Sequence, residues 1–167
     1  MKIKYGNLRT LISEVAGQST LDRAVALATE LHKDQRDKGG ASYIGHPLRV
    51  MKSVLAKGYD EDVAIAAVLH DTVEDTPLTI DDVQREFGPR VAATVALLSK
   101  QPSDTYDTFI DRIIASGNRD AMQVKLADLE DNSDVKRLGH EPTASDQQRL
   151  TKYQRASQRI TAALEDK

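Results

Sequence analysis

Apolar residues recur at helical spacing along almost the whole chain, while the strict alternation that marks β-strands is almost absent. Aromatic residues make up only 4% of the 167 residues and tryptophan is missing. The core must therefore be built from leucine, isoleucine, valine and alanine, which suits the packing of helix on helix. The sequence predicts one all-α domain, spanning residues 1–167, of about eight helices with no internal boundary.

One predicted helix, over about residues 60–73, is apolar nearly all round, which is typical of a helix at the centre of a fold. Another helix is predicted over residues 7–16, near the start of the chain. The spacing of hydroxyl and acidic or amide residues predicts several N-terminal caps. The predicted pairs are Ser19 with Asp22, Thr79 with Asp82, and Ser145 with Gln148.

The end of the central helix carries an unusual group of ionisable side chains in the segment "VLHDTVEDT", residues 68–76. In a continuous helix His70 would lie over Glu74, and Asp71 over Asp75, so that the four side chains share one polar face. Buried carboxylates are costly unless a cation compensates them, which favours a divalent metal ion. The alternative is a polar helix end, although acids at that end oppose the helix dipole.

Histidine and aspartate ligands together suit manganese, iron, zinc, cobalt or magnesium, and two adjacent residues cannot complete a coordination sphere. His46, in "YIGHP", lies where a loop can fold over the central helix, but a helix-start residue satisfied by the backbone is an equal alternative. His32 ends an apolar stripe and is interpreted as a packed histidine. His140 is interpreted as solvated.

A second acidic cluster lies in "VKLADLEDN", residues 124–132. Asp128 is flanked by apolar residues, shares a helix face with Asn132, and follows Lys125 by one turn. An aspartate among core residues is more informative than one in a run of charges. The neighbouring acids are interpreted as solvated, and they are Glu130, Asp131 and Asp134.

Composition excludes several classes of function. The net charge of −3 argues against a general nucleic-acid binder, and an anionic substrate would need a local basic pocket. The absence of cysteine excludes disulfides, zinc–thiolate sites and thiol catalysis. No apolar run approaches 18 residues and no signal peptide is recognisable, so we expect a cytoplasmic protein without membrane contact.

Basic residues are dispersed, but several fall in predicted loops or helix ends near the two acidic clusters. Arg149 and Tyr153 lie one helical turn apart, where a guanidinium and a ring could hold a phosphate and stack on a base. On local grounds an amphipathic helix with Tyr153 packed inward is the better interpretation. The other basic residues are Lys33, Arg36, Lys38, Lys100 and Lys125.

The motifs taken together resemble the HD phosphohydrolase superfamily and, more narrowly, the hydrolase domain of the RelA/SpoT family. That resemblance covers about residues 20–155 and implies a stand-alone alarmone hydrolase, a helical bundle built around a buried metal site. Family members hydrolyse guanosine 3′,5′-bis(diphosphate). The segments that carry the resemblance are "AVALATELHKDQR", "YIGHPLRV", "AAVLHDTVEDT", "FGPRVAATVALLSK" and "VKLADLEDN".

The resemblance also implies roles for individual residues. It implies a manganese ion bound by His46, His70, Asp71 and Asp128. It implies Glu74 and Asp75 as the catalytic acid pair that orients or deprotonates a water. The nucleotide contacts that it implies are Arg36, Lys38, Asn132, Arg149 and Tyr153, to which we add Lys100 and Lys125 as basic residues near the site.

One loop length and two residues depart from the family pattern. The loop between Arg36 and His46 is one residue longer than in the long enzymes, Ser42 replaces a usual proline, and Asp131 replaces a histidine. Two other functions stay open. The first is hydrolysis of another phosphorylated nucleotide, a monophosphate or the 2′-phosphate of NADPH. The second is a non-catalytic alarmone-binding module. A guanosine nucleotide is the expected partner, and a homo-oligomer is compatible with the sequence.

Overall fold

The computed structural model describes Thr10 and residues 17–166. Apart from Thr10, the helix predicted over residues 7–16 lies outside the described residues. The described chain forms α-helices, one 3₁₀ turn and a single isolated β-bridge, which confirms the all-α prediction. The helices are α1 (Thr20–His32), α2 (Gly45–Ala56), α3 (Glu61–Leu69), α4 (Thr72–Asp75), α5 (Ile80–Phe87), α6 (Pro89–Leu98), α7 (Tyr106–Ala115), α8 (Arg119–Asn132) and α9 (Ala144–Glu165), with the 3₁₀ turn at Val135–Leu138 between α8 and α9.

Helix α3 is the centre of the fold, as its all-round apolar sequence predicts. Every residue from Val63 to Leu69 is buried. The helix packs against α1, α2, α6 and α8, so it has neighbours on all sides. Burial of each valine, leucine or isoleucine side chain contributes roughly 1.5–3 kcal/mol, so this helix contributes a large part of the stability of the core.

The prediction of one continuous helix over residues 60–73 is wrong, because the chain turns between α3 and α4. The ring of His70 bonds through Nδ1 to the carbonyl of Ala67, 2.6 Å away, and the Thr72 hydroxyl donates to the carbonyl of Leu69 at 2.7 Å. These side-chain bonds occupy the last carbonyls of α3 and compete with the helical ladder. As a result His70 is buried whereas Glu74 and Asp75 are exposed, and the predicted single polar face does not form.

Two of the predicted caps are confirmed and one is wrong. The Ser19 hydroxyl accepts from the amide of Asp22, and Thr79 with Asp82 forms a complete capping box. The last helix begins earlier than predicted, because Thr143 and Asp146 form the capping box instead of Ser145 and Gln148. One Asp146 oxygen accepts from both the amide and the hydroxyl of Thr143, an arrangement that satisfies the first turn.

The loop between α1 and α2 folds back on itself through the β-bridge between Arg36 and Ser42. Asp37 holds the turn, since its Oδ1 accepts from the amides of Gly39 and Ala41 at 2.9 Å each. A side chain at Gly39 would meet the carbonyl oxygen of Arg137 at 3.3 Å, so the loop lies directly against the 3₁₀ turn. Among residues 17–166, none of the helices combines the length and apolarity that a membrane crossing requires.

Candidate active site

Four of the predicted ligand side chains converge at one buried point. His46 comes from the start of α2, Asp128 from α8, and His70 with Asp71 from the turn after α3. The Oδ1 atom of Asp128 lies 2.9 Å from Nε2 of His46 and 3.4 Å from Nε2 of His70. The Oδ2 atom of Asp71 lies 3.1 Å from Nε2 of His70 and 3.8 Å from Nε2 of His46. The donor atoms of His46, His70 and Asp128 all lie within 4.8 Å of one another, close enough to share one metal ion.

Both imidazoles present the same nitrogen to this point. The Nδ1 atom of His70 lies 2.6 Å from the Ala67 carbonyl, which can only accept, so Nδ1 carries a hydrogen and Nε2 is the nitrogen that faces the site. The Nδ1 atom of His46 lies 2.6 Å from Oδ2 of Asp131, with the same consequence. The Nε2 atom of His70 is buried and has no hydrogen-bond partner among the described residues. A buried ring nitrogen without a hydrogen-bond partner, beside two carboxylates, fits a site for a divalent cation.

Asp128 has partners on both of its carboxylate oxygens. Lys125 places Nζ 2.7 Å from Oδ2, and the amide nitrogen of Asn132 donates to Oδ1 at 2.8 Å. Burial acts to raise the pKa of Asp128, but the charge of Lys125 and the nearby Nε2 atoms of His46 and His70 outweigh it and hold the pKa well below its usual range. Asp128 is therefore a permanently charged acceptor at the bottom of the site.

The prediction that Asp131 is simply solvated is wrong. Its side chain is only 13% exposed and receives three cationic or polar donors. Besides Nδ1 of His46, the Nε atom of Arg49 lies 2.8 Å from Oδ1 and the Nη2 atom of Arg137 lies 3.1 Å from Oδ2. Burial raises the pKa of Asp131, but the bonds from His46 and Arg49 reverse the effect and lower the pKa to about 2. Asp131 is thus a charged carboxylate that orients His46, a predicted metal ligand, whereas Glu130 and Asp134 are exposed, as predicted.

Tyr43 is a site residue that sequence reasoning missed. Its hydroxyl donates to Oδ2 of Asp71, and its ring lies 5.9 Å from that of His46 and 5.0 Å from that of His32. Its position in the "YIGHP" segment, three residues before His46, is the signal that could have indicated it. His32 is fully buried with Nδ1 2.9 Å from Oε1 of Gln35, which confirms the interpretation as a packed histidine.

A cleft of about 270 Å³ opens beside His46. The loop before α2, the 3₁₀ turn and the start of α9 form its walls, and four cationic side chains line it against two acidic ones. The structure brings five of the seven predicted nucleotide contacts to this cleft, and the two that it does not bring there are Lys100 and Lys125. The lining residues with predicted roles are Arg36, Lys38, Asn132, Arg149 and Tyr153, and those without are Asp37, Gly39, Tyr43, Asp134, Arg137 and Leu138.

The two remaining basic residues are engaged elsewhere. Lys125 is bound to Asp128 and lies over the ring of Phe109, 5.1 Å from its centroid. The backbone amide of Lys100 donates to Oε2 of Glu74 at 3.0 Å. Lys125 therefore neutralises the carboxylate of Asp128, and the backbone of Lys100 fixes one member of the predicted acid pair.

Asp75, the other member of that pair, follows Asp71 by one helical turn. Although the residue is exposed, the walls of the site partly desolvate its carboxyl group. That desolvation, followed by the negative charges of Asp71 and Glu74, raises the pKa of Asp75 to about 6. A carboxyl group with this pKa can take up and release a proton near neutral pH.

Comparisons with known proteins agree with this arrangement. The model of the HD domain family matches residues 24–107, half of the chain. A guanosine-3′,5′-bis(diphosphate) 3′-pyrophosphohydrolase of Aquifex aeolicus is 36% identical over 118 residues, which are 67% of this chain and 17% of that protein. The bifunctional (p)ppGpp synthase/hydrolase SpoT of Escherichia coli is 38% identical over 80 residues, 48% of this chain and 11% of that protein. The chain thus spans less than a fifth of the length of these relatives.

A solved structure shares nearly the whole fold. It is described as a metazoan orthologue of SpoT that hydrolyses ppGpp, and it superposes with a TM-score of 0.71 at 29% identity. The superposition covers 89% of this chain and 87% of the other. Unlike the long relatives, this neighbour is therefore similar to the chain over most of its own length.

Proposed function

The chain belongs to the HD domain family, and from that membership we propose that it hydrolyses the 3′-diphosphate of guanosine 3′,5′-bis(diphosphate). The products would be pyrophosphate and GDP, or GTP from the pentaphosphate. One observation carries the proposal: the Nε2 atoms of His46 and His70 meet an oxygen of Asp128 at a buried point, with Oδ2 of Asp71 3.1 Å from His70, beside a cationic cleft. The similarity to relatives and to a solved structure named for this activity supports the choice of substrate.

We propose manganese as the metal, held by His46, His70, Asp71 and Asp128. The mixed nitrogen and oxygen donors suit this ion, and the resemblance to the RelA/SpoT family favours it over zinc, iron, cobalt and magnesium. When bound, such an ion polarises a phosphoryl oxygen and lowers the pKa of a water molecule. The role of Asp131 is to hold His46 in the orientation that presents Nε2.

We assign the proton transfer to Asp75. Its raised pKa suits a group that accepts a proton from the attacking water and passes it to the ribose 3′ oxygen as that oxygen leaves with GDP. Glu74 has a different task, because its Oε2 is bound to the backbone of Lys100. This contact holds α4 against the segment that follows α6, and so keeps Asp75 in place.

The cationic side of the cleft binds the diphosphate groups. Arg36 and Lys38 stand on the loop before α2, and Arg149 stands on α9, where Oδ1 of Asp146 lies 2.9 Å from its Nη2. Such fixed charges stabilise the negative charge that phosphoryl transfer spreads over the phosphate oxygens. Tyr153 presents the aromatic face on this wall, one turn after Arg149, and we propose it as the contact for the base or ribose.

The proposal is tested by a product assay on protein stripped of metal by a chelator. The nucleotide is added with and without Mn²⁺, and pyrophosphate and orthophosphate are measured separately. Pyrophosphate with GDP, released only with metal, is the expected result. Orthophosphate would instead indicate a different phosphorylated nucleotide as substrate. Tight nucleotide binding without any product would indicate a non-catalytic binding module.

The acid pair is tested on the same assay. Asp75→Asn is expected to lower kcat by about a hundredfold or more while metal binding is retained, because general acid–base groups contribute about 10²–10⁴-fold. Glu74→Gln is expected to lower kcat less, because its amide oxygen can still accept from the Lys100 backbone. Full turnover by Asp75→Asn would show that the proton goes elsewhere.

A further inference from the structure

Arg137 is a cationic residue of the cleft that the sequence motifs do not indicate. It lies in the 3₁₀ turn at Val135–Leu138, and it lines the cleft together with Lys38 and Asn132. The loop that carries Lys38 touches its backbone, since the carbonyl oxygen of Arg137 is the atom nearest to a side chain built at Gly39. Arg137 and the basic loop therefore form one continuous wall.

The guanidinium of Arg137 is held on one side only. Its Nη2 atom donates to the carbonyl oxygen of Asp131 and lies 3.1 Å from Oδ2 of the same residue, and its Nε lies 3.7 Å from Asp134. Among the described residues, no hydrogen bond or ion pair uses its Nη1. A guanidinium has five N–H donors in a planar fork, so a pre-oriented arginine with a free nitrogen is suited to a phosphate group.

Asp131 connects this arginine to the metal site. Its Oδ2 accepts from Nδ1 of His46, a predicted metal ligand, and also pairs with Arg137. One carboxylate thus sets the position of both groups. Arg49 binds the same carboxylate from α2, with Nε 2.8 Å from Oδ1, but it does not line the cleft.

We propose that Arg137 binds a phosphate group of the substrate, and that Asp131 fixes the distance between this contact and the metal ligand His46. The identity of the nucleotide in this proposal rests on the proposed function. The phosphate contact itself does not, because it requires only a ligand that carries a diphosphate. Arg137 is thereby a substrate-binding residue of the cationic wall.

The two arginines that share Asp131 supply a matched pair of variants. Arg137→Gln and Arg49→Gln each remove one cationic partner of the same carboxylate, but only the first removes a group that lines the cleft. The probe is inorganic pyrophosphate, titrated by calorimetry into the metal-stripped protein, so that no turnover is needed. We expect Arg137→Gln to weaken pyrophosphate binding about tenfold or more, as loss of a charge-assisted hydrogen bond does. Arg49→Gln is expected to change it less than twofold.

Steady-state kinetics with the nucleotide give the second readout. Arg137→Gln should raise KM more than it lowers kcat, and Arg137→Lys should recover part of the loss, since it restores the charge without the fork. Equal effects of Arg137→Gln and Arg49→Gln on pyrophosphate binding would overturn the assignment, as would an unchanged affinity in Arg137→Gln. If the wild type binds pyrophosphate through Arg137 yet does not hydrolyse the alarmone, the proposed function fails and the phosphate contact stands.

Discussion

Replacement of Asp131 by asparagine should weaken metal binding without removing any ligand. The carboxylate accepts from Nδ1 of His46 at 2.6 Å in a site where the Asp131 side chain is only 13% exposed. A hydrogen bond to a charged acceptor contributes about 1.5–3 kcal/mol and a neutral one about 0.5–1.5 kcal/mol. The difference of about 1–1.5 kcal/mol corresponds to a loss of roughly tenfold in metal affinity, at the lower end of the tenfold to hundredfold cost of outer-shell changes.

The affinity is measured by electron paramagnetic resonance of free Mn²⁺ in equilibrium with the protein. Glu130→Gln is the control, because Glu130 precedes Asp131 on α8 but is exposed and pairs with Lys57 at 2.9 Å on the surface. That variant should bind the ion as the wild type does. His46→Ala should lose more affinity than Asp131→Asn, since it removes a ligand. If Asp131→Asn binds Mn²⁺ as tightly as Glu130→Gln, the carboxylate does not orient the histidine and the reasoning is refuted.

Three further predictions concern stability. Lys125→Met leaves the buried Asp128 without its cationic partner. In urea titrations of the metal-free protein, this change should lower the free energy of unfolding by about 3 kcal/mol. A loss under 1 kcal/mol would contradict the pairing. Thr143→Ala removes the cap of α9 and should cost about 1 kcal/mol, whereas Ser145→Ala should cost much less, and the reverse order would contradict the observed cap. Burial raises the pKa of Asp82, but its hydrogen bonds with Thr79 and Arg85 outweigh burial and lower the pKa below the usual 3.8. The charged carboxylate therefore stabilises the fold above pH 3.8. This stabilisation is lost as the pH falls through the lowered pKa of the folded state. Asp82→Asn should therefore be less stable than the wild type at pH 6, and the gap should narrow below about pH 4; a gap independent of pH would exclude the carboxylate as its cause.

The helical class, the central helix and the convergence of the histidines and aspartates predicted as metal ligands could be anticipated from the sequence. Apolar spacing determines which segments are helical, and an all-round apolar helix can only be stable at the centre. Histidine and acid clusters stand out against such apolar surroundings because their burial is costly unless they are paired. These signals are local, or they come from the resemblance to a known family.

The partners of Asp131 were decided by tertiary structure alone. His46 and Arg49 lie 85 and 82 residues away along the chain, and nothing in the sequence around Asp131 indicates that α2 packs there. For the same reason Arg137 was not recognised as a site residue. Tyr43 was also missed, although it lies in the "YIGHP" segment three residues before His46. The position of Lys125 also differed from the prediction of a nucleotide contact. Its side chain lies over the ring of Phe109 and pairs with Asp128, away from the cleft.

The turn between α3 and α4 is another feature that tertiary structure decided and the sequence did not predict. The sequence of this segment is compatible with a continuous helix, and only the buried surroundings of His70 make its bond to the Ala67 carbonyl more favourable than exposure to water. Periodicity therefore determined where helices form and which face each one buries. The orientation of polar side chains within the site depended on which distant charges the fold brought near them, because electrostatic interactions and hydrogen bonds act over a few ångströms in space and carry no periodic signature along the chain.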